Sequence, residues 1–465
     1  MHDSSPVATE DTSSDTLVGY LSESDADQCI NSSIDNKCVD SNKESLPRAY
    51  ETEVVSVFDE ISEIDRLNYK KKDSSHNIKP AEGSNTTLRQ VIFLHRHGDR
   101  TPMNFPPKDK LRNEPFWAFH GYGQLTNRGK ARLHLLGRMT RERYDEFLSR
   151  SVNKNQRISR ASGALRCIES AQVFLSGFLA LDETGSPDSE SLKWDSKEDP
   201  LAQLWQPASV QSVPVSIDGM LAESADCKSL MDEYKLIDRS DLVRLINNEY
   251  KSEAQILNSV LGFNMDHFYK WFWASSQIEV ERSYFESKMD PKIIASYDRI
   301  QQAGNLALEA YQSSSKSRRL RSGLLISDMI SHMKNCRDAY NQTDLQQKSK
   351  KFVHYAAHDM TLIVILGMFG SWQKFPFRPD YASNIALELH HDDDDWFIKI
   401  FYMPHVPAEP TEIHLEHCEK GHPRGICTLD KFIKLMKPYT FENWQEWMRE
   451  CGNQLDKIDP YSFST

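Results

Sequence analysis

Two short apolar runs, each ending in a histidine and a charged side chain, constrain this chain more than any other feature. Leu88 to Leu94 leads into His95-Arg96-His97-Gly98-Asp99-Arg100-Thr101-Pro102, and Phe352 to Ala357 leads into His358-Asp359-Met360-Thr361. An apolar run of this length bounded by a polar loop reads as a strand buried on both faces. Such strands belong to sheets covered by helices on each side. In open α/β sheets ligands bind at the carboxyl ends of the strands, and both polar clusters sit at such ends.

The rest of the chain supplies the helices. Thr126 caps a helical pattern that runs through Leu148. A second runs from Ala164 to Leu181, with Leu165, Ile168, Gln172, Leu175 and Leu179 on one stripe. Residues from about 183 to 205 are polar and loop-like. From about 220 to 315 the pattern is helical and rich in aromatics, for example Phe268, Trp271, Phe272 and Trp273. Leu320–His332 and Thr361–Phe369 add further helical stretches. Ile385–Leu389 and Trp396–Tyr402 alternate as a hairpin, turning at His390 to Asp395.

Charge divides the chain. The net charge is −12, and residues 1–88 carry 18 acidic and 8 basic side chains, a net of −10. The remainder is nearly neutral, which argues against a nucleic-acid binder working through a basic surface. Residues 1–88 also hold 15 Ser and no sustained period. Such a segment cannot bury enough apolar surface to offset its ordering entropy, so disorder is expected there. Val54–Leu67 is the one stretch with helical spacing. No run of about 18 apolar residues is present, so no membrane span is expected. The start, Met1-His2-Asp3-Ser4-Ser5, lacks the apolar core of a signal peptide.

The chemistry lies in the strand-end clusters. Arg96 and Arg100 present rigid forks of donors matched to phosphate oxygens. Gly98 lets the backbone approach a ligand closely. An imidazole between two guanidiniums stays neutral, because a third positive charge is disfavoured, and a neutral His97 beside a phosphate can act as a nucleophile. His358 can donate to a phosphate oxygen, and Asp359 can give a proton to a leaving group. Arg160, in Ser159-Arg160-Ala161-Ser162, offers another fork. Any one of these alone is an ordinary surface residue, turn or cap; two complementary clusters at strand ends are not an ordinary coincidence. The acidic turn at Asp392–Asp395 is read as a solvated hairpin tip and not a metal site. No P-loop, no Gly-x-Ser-x-Gly elbow and no His-Glu-x-x-His helix is present.

Arg96-His97-Gly98-Asp99-Arg100-Thr101-Pro102 resembles the signature of the histidine acid phosphatases, most closely the lysosomal and prostatic group. Supporting pieces follow in family order: Gly121-Tyr122-Gly123-Gln124-Leu125-Thr126, Arg160 with Arg166, Trp205-Gln206-Pro207, His358-Asp359-Met360-Thr361, and Tyr381-Ala382-Ser383. The resemblance covers about 88 to 452. It implies an α/β fold, a phosphoglycerate-mutase-like three-layer sandwich with a smaller helical cap. The corresponding division is 1–88 as a disordered tail and 89–465 as the phosphatase domain, with the cap inserted at about 183–315. It implies hydrolysis of small phosphomonoesters or phosphoproteins through a phosphohistidine on His97. Arg96, Arg100, Arg160 and His358 would hold the phosphate, Asp359 would be the proton donor, and no metal or cofactor is needed.

The resemblance further implies disulfides Cys227–Cys451 and Cys418–Cys427, a homodimer, and a lysosomal or secreted location. Asn85 and Asn341 are candidate glycan acceptors, while Cys167 and Cys336 read as buried thiols. The absence of a signal peptide and of a C-terminal anchor stands against that location. A sugar-phosphate phosphatase of the same superfamily is the rival reading, and a catalytically inactive phospho-ligand binder the reading from another class.

Overall fold

The computed structural model describes residues 87–148, 156–179, 207–223, 225–265, 267–340, 349–371, 374–375, 378–392, 394–420, 422–453 and 459–461. The acidic segment before residue 87, the helix expected over Val54–Leu67, the loop at about 183–205, Trp205 and Gln206, Cys29, Cys38, Asn85 and Asn341 lie outside the described residues.

Both apolar runs are strands. β1 (Leu88–Arg96) is joined along one mixed sheet by β2 (Arg157–Ser162), β3 (Gln211–Val213), β4 (Phe352–Ala357), β5 (Asn384–His391), β6 (Trp396–Met403) and β7 (Thr411–Glu412). The order is β3-β2-β4-β1-β5-β6-β7, and β8 (Cys427–Thr428) pairs with β6. β3, β2, β4 and β1 run parallel, and β5 returns antiparallel beside β1. The expected hairpin is β5–β6. Its acidic tip is neutralised by Arg424, which donates to Asp392 and Asp395 at 2.5 Å each.

Strand side chains alternate between faces, and the two faces of this sheet carry separate apolar clusters. Ile92 and Leu94 of β1, with Val353, Tyr355 and Ala357 of β4, belong to one; Val91, Phe93 and Phe352 belong to the other. The chain continues as α1 (Pro115–His120), α2 (Asn127–Arg143) and α3 (Leu165–Phe178). α2 and α3 cover the second cluster with Leu133, Leu136, Phe174 and Phe178. Six helices follow: α4 (Lys228–Asp238), α5 (Asp241–Glu249), α6 (Lys251–Leu261), α7 (Tyr269–Phe285), α8 (Pro291–Ala295) and α9 (Tyr297–Tyr311). Then come α10 (Ser315–Ala339), α11 (Asp359–Met368), α12 (Glu416–Glu419), α13 (Leu429–Met436) and α14 (Trp444–Cys451). α10 and α11 close the first cluster, which runs unbroken into Trp271, Ile278 and Ile300 of α7 and α9. Helices on both faces of one sheet give the three layers that the sequence predicts. Among the described residues no helix is long and apolar enough to cross a membrane.

Local chemistry explains most element ends. The Thr126 hydroxyl accepts from the Gly129 N–H at 3.2 Å and caps α2. α3 follows the expected stripe only in its second half, where Leu175 and Leu179 are buried. The rest of its buried face is Cys167, Ala171, Phe174 and Phe178, while Leu165 is exposed and Gln172 faces solvent. The i, i+4, i+7 rows of both stripes satisfy a helical period. The buried one wins because Phe174 and Phe178 stack on Phe93 and Phe352. Disulfides join Cys227 to Cys451 and Cys418 to Cys427, and Cys167 and Cys336 remain buried thiols. The first ties the start of α4 to the end of α14 across 224 residues of sequence.

A buried acid pair fastens the loop after β1 to α7. Gln277 donates to the Glu281 carboxyl and, at 3.5 Å, to Asp109 Oδ2. Burial first, then the hydrogen bond and charge of Asp109, push the Glu281 carboxyl up to about 9. A carboxyl raised above its unfolded value stabilises the fold fully below pH about 4.5, and that contribution is lost as pH rises toward 9. Glu281→Gln should therefore weaken the decline in Tm between pH 5 and 9 by ~3 °C or more. Parallel Tm–pH curves for wild type and variant, measured by calorimetry, would exclude the raised Glu281 carboxyl.

Candidate functional site

The register between β1 and β4 builds the site. Arg96 is paired with Ala357 as the last couple of the ladder, and the His97 N–H donates to the Ala357 carbonyl at 2.9 Å. The next residues, His97 and His358, therefore leave the sheet side by side, with ring centroids 5.6 Å apart and planes at 77°. β2 ends alongside them, and its Ser162 hydroxyl lies 2.9 Å from His358 Nε2.

The His97 ring is set by its own backbone. Nδ1 lies 2.9 Å from the Gly98 carbonyl, which can only accept. Nδ1 must therefore carry the hydrogen, and Nε2 keeps its lone pair. Burial, then Arg166, Arg96, His358 and Arg100, hold this imidazole well below its ordinary value. His358 is lowered in the same way, by burial first and Arg166 next. Both rings thus favour the neutral form more than a free imidazole does.

Three guanidiniums surround them. Arg96 donates to the Pro379 carbonyl at 2.7 Å, stands 2.9 Å from Asp359 Oδ2 and lies 4.1 Å above the Tyr381 ring. Arg100 donates to the Thr101 carbonyl and, at 3.1 Å, to Ser276 of α7. Arg166 reaches within 3.5 Å of His358 Nδ1. It sits in the first turn of α3, where the helix dipole disfavours a cation. That cost is reversed when an anion lies between the dipole and the guanidinium.

Asp359 opens α11, and its Oδ1 accepts from the Met360 N–H at 2.8 Å. Burial alone would raise its carboxyl. Arg96, then Arg378, a hydrogen bond from Glu223 and the charge of Arg100 outweigh burial and hold it below the ordinary range.

The structure gathers His97, Arg96, Arg100, His358 and Asp359 in one place, and it corrects two expectations. Arg160 is not among them. It lies two residues before the end of β2, on the face of its register partner Tyr355, and its guanidinium meets Asp328 of α10 at 3.3 Å. The Tyr355 hydroxyl donates to the same carboxylate at 2.5 Å. The Arg160 guanidinium also meets the Met220 sulfur at 3.7 Å, and the guanidiniums that act on His97 are those of Arg166, Arg96 and Arg100. Arg166 takes the position expected of Arg160. Gly98 also serves a different end. A Cβ there would lie 2.7 Å from the Gly129 carbonyl and 2.8 Å from Leu133, so the glycine admits α2 and not a ligand. Neighbouring Asp99 is fixed by Arg128 and Arg132 at 3.1 and 2.8 Å, and Arg132 reaches on to Asp380.

Sequence reading gave no role to Arg166, Glu223 or Tyr381. For Arg166 a signal existed, a cation placed at a helix start against the dipole. Glu223 lies in a loop with no motif around it.

The family model for the histidine phosphatase superfamily (branch 2) matches residues 87–403. The chain belongs to this superfamily. It is 28% identical over 375 residues to the prostatic acid phosphatase of Bos taurus, covering 78% of this chain and 88% of the relative. It is 23% identical to the lysosomal acid phosphatase of Rattus norvegicus, covering 80% and 82%. Among solved structures, the apo phytase of Hafnia alvei matches with a TM-score of 0.52 at 14% identity, over 76% of this chain and 97% of that one. This last likeness is one of fold.

If Arg166 and not Arg160 faces the anion of this superfamily, single replacements separate them. Arg166→Ala should weaken inorganic phosphate binding by ~30-fold, the worth of about one charge-assisted hydrogen bond. Arg160→Ala should lower Tm and leave phosphate affinity within about twofold. Titration calorimetry reads both, and equal weakening would return Arg160 to the site.

Proposed function

We propose that the protein is an acid phosphatase that hydrolyses phosphate monoesters through a phosphohistidine on His97. One observation carries this reading: a neutral imidazole, its Nε2 lone pair set by the Gly98 carbonyl, stands among Arg96, Arg100 and Arg166. Phosphoryl transfer needs positioning and charge neutralisation more than covalent assistance. The three guanidiniums and His358 hold the phosphoryl oxygens. The lone pair of His97 Nε2 attacks phosphorus, the bond from phosphorus to the ester oxygen breaks, and Asp359 gives that oxygen a proton. Water then attacks the phosphohistidine, loses its proton to Asp359 and releases phosphate.

The acid phosphatase names of the relatives support the reaction class, and the placement of the two motifs supports the roles. Residues 89–465 are taken as one phosphatase domain with a helical cap at about 183–315, supported by the unbroken apolar cluster linking sheet and helices. The homodimer rests on the resemblance alone.

His97→Ala should form no acid-labile phosphoenzyme when rapidly quenched with labelled substrate; label retained on that variant would remove His97 as nucleophile. Asp359→Asn should lower kcat for an alkyl phosphate by ~10²-fold or more, the scale of general acid catalysis. For p-nitrophenyl phosphate, whose phenolate leaves without a proton, the loss should stay below ~10-fold. Equal losses on both substrates would remove Asp359 as the acid.

A further inference from the structure

Asp359 poses a difficulty for its own role. Arg96, Arg378 and Arg100 hold it ionised, yet an acid must carry the proton it gives. Glu223 answers this. Its carboxyl is in hydrogen-bond contact with that of Asp359. Its Oε2 lies 3.9 Å from His358 Nδ1. Its Oε1 is buried, and no N–H or O–H group of the described residues donates to it. Two carboxyls do not share a hydrogen bond unless one proton lies between them.

We propose that Glu223 stores the proton that Asp359 delivers to the leaving alcohol, so that the two carboxyls act as one single-proton acid. This rests on the phosphatase reading given above. As the ester bond breaks, the one proton of the pair moves from Glu223 to Asp359 and on to the departing oxygen, which leaves the pair without a proton until hydrolysis. The water that cleaves the phosphohistidine returns one proton through Asp359 to Glu223. The pair begins and ends each turnover with one proton.

The surroundings place that proton. Arg166 from α3, Arg321 from α10 and Asp359 from α11 act on Glu223, which in turn acts on Tyr269 of α7. Arg321 donates to the Glu223 carbonyl and, at 2.7 Å, to the Tyr234 hydroxyl of α4, fixing the loop that carries the carboxyl. Burial and the negative Asp359 raise Glu223 above the ordinary carboxyl range, against Arg166 and Arg321. Arg96 acts at Asp359. The proton therefore rests on Glu223 and the charge on Asp359. A lone Asp359 so close to Arg96 would be empty of protons at the pH where an acid phosphatase works. The pair stays loaded until Glu223 titrates, and activity toward poor leaving groups ends there.

The test is the pH dependence of kcat for glycerol phosphate and for p-nitrophenyl phosphate. In Glu223→Gln the basic limb for glycerol phosphate should move toward acid by at least ~1 pH unit, with kcat ~10²-fold lower at pH 5. The p-nitrophenyl phosphate rate should fall less than ~10-fold. Glu223→Asp should restore part of the limb, and should carry the comparison if the Gln variant loses inorganic phosphate binding. Adding Asp359→Asn to Glu223→Gln should cost nothing further, because one acts through the other. An unmoved limb, or losses that multiply in the double variant, would overturn the proposal. A wild-type enzyme with no trapped phosphohistidine would overturn the covalent route alone, since the leaving alcohol needs its proton by either route.

Discussion

The parallel register of β1 with β4 is the constraint on which the rest depends. It ends at Arg96 opposite Ala357, and from there each strand gives its next residue to the site. A register slip by one residue would turn every side chain to the opposite face. Arg96 would then exchange places with His95, whose ring now packs under the sheet against Phe174 and His354. Register is held by the apolar alternation on both faces and by α2, which seats on the loop after β1. The seat exists because Gly98 and Gly129 meet where a Cβ on either would strike backbone.

A cationic cluster at this depth needs compensation, and the structure supplies it unevenly. Asp99 is committed to Arg128 and Arg132, which lie on the side of α2. Asp359 offsets Arg96, and Glu279 takes Arg378 at 2.8 Å. Arg100 and Arg166 meet a carbonyl, a hydroxyl and an imidazole. With Arg96 they bring three positive charges to bear on His97. An anion with several oxygens completes this arrangement, and the acidity of the whole chain has no bearing on it.

What was legible in the sequence was what periodicity and local chemistry encode. The two strands, the Thr126 cap, the β5–β6 hairpin and the position of His97 follow from patterns a few residues long. Arg160 and Arg166 could not be told apart that way. Both lie near a strand end, and only the face assigned to β2 sends Arg160 toward Asp328. The first half of the α3 stripe failed for a related reason, since two helical faces were apolar enough and Phe93 and Phe352 favoured the face of Phe174 and Phe178, while Leu175 and Leu179 are buried as expected. Glu223 left no local trace. Its meaning comes from Asp359, 136 residues later, and from a proton that neither residue reveals by itself.

The buried ionisable groups pull stability in opposite directions with pH. Glu281 binds its proton more tightly folded than unfolded, so its contribution is greatest in acid. The stacked pair His95 and His354 does the reverse. Burial lowers His95 to about 4, and burial with His95 and Arg157 lowers His354 well below its ordinary value. Between pH about 6.5 and 4 the unfolded chain binds a proton at His95 that the folded chain refuses, so stability falls as pH falls through that range. Acid keeps the carboxyl pair at the site loaded and, at the same time, erodes the sheet beneath it. A phosphatase built this way works best where the carboxyls still share their proton and the imidazoles on both sides of the sheet are still neutral.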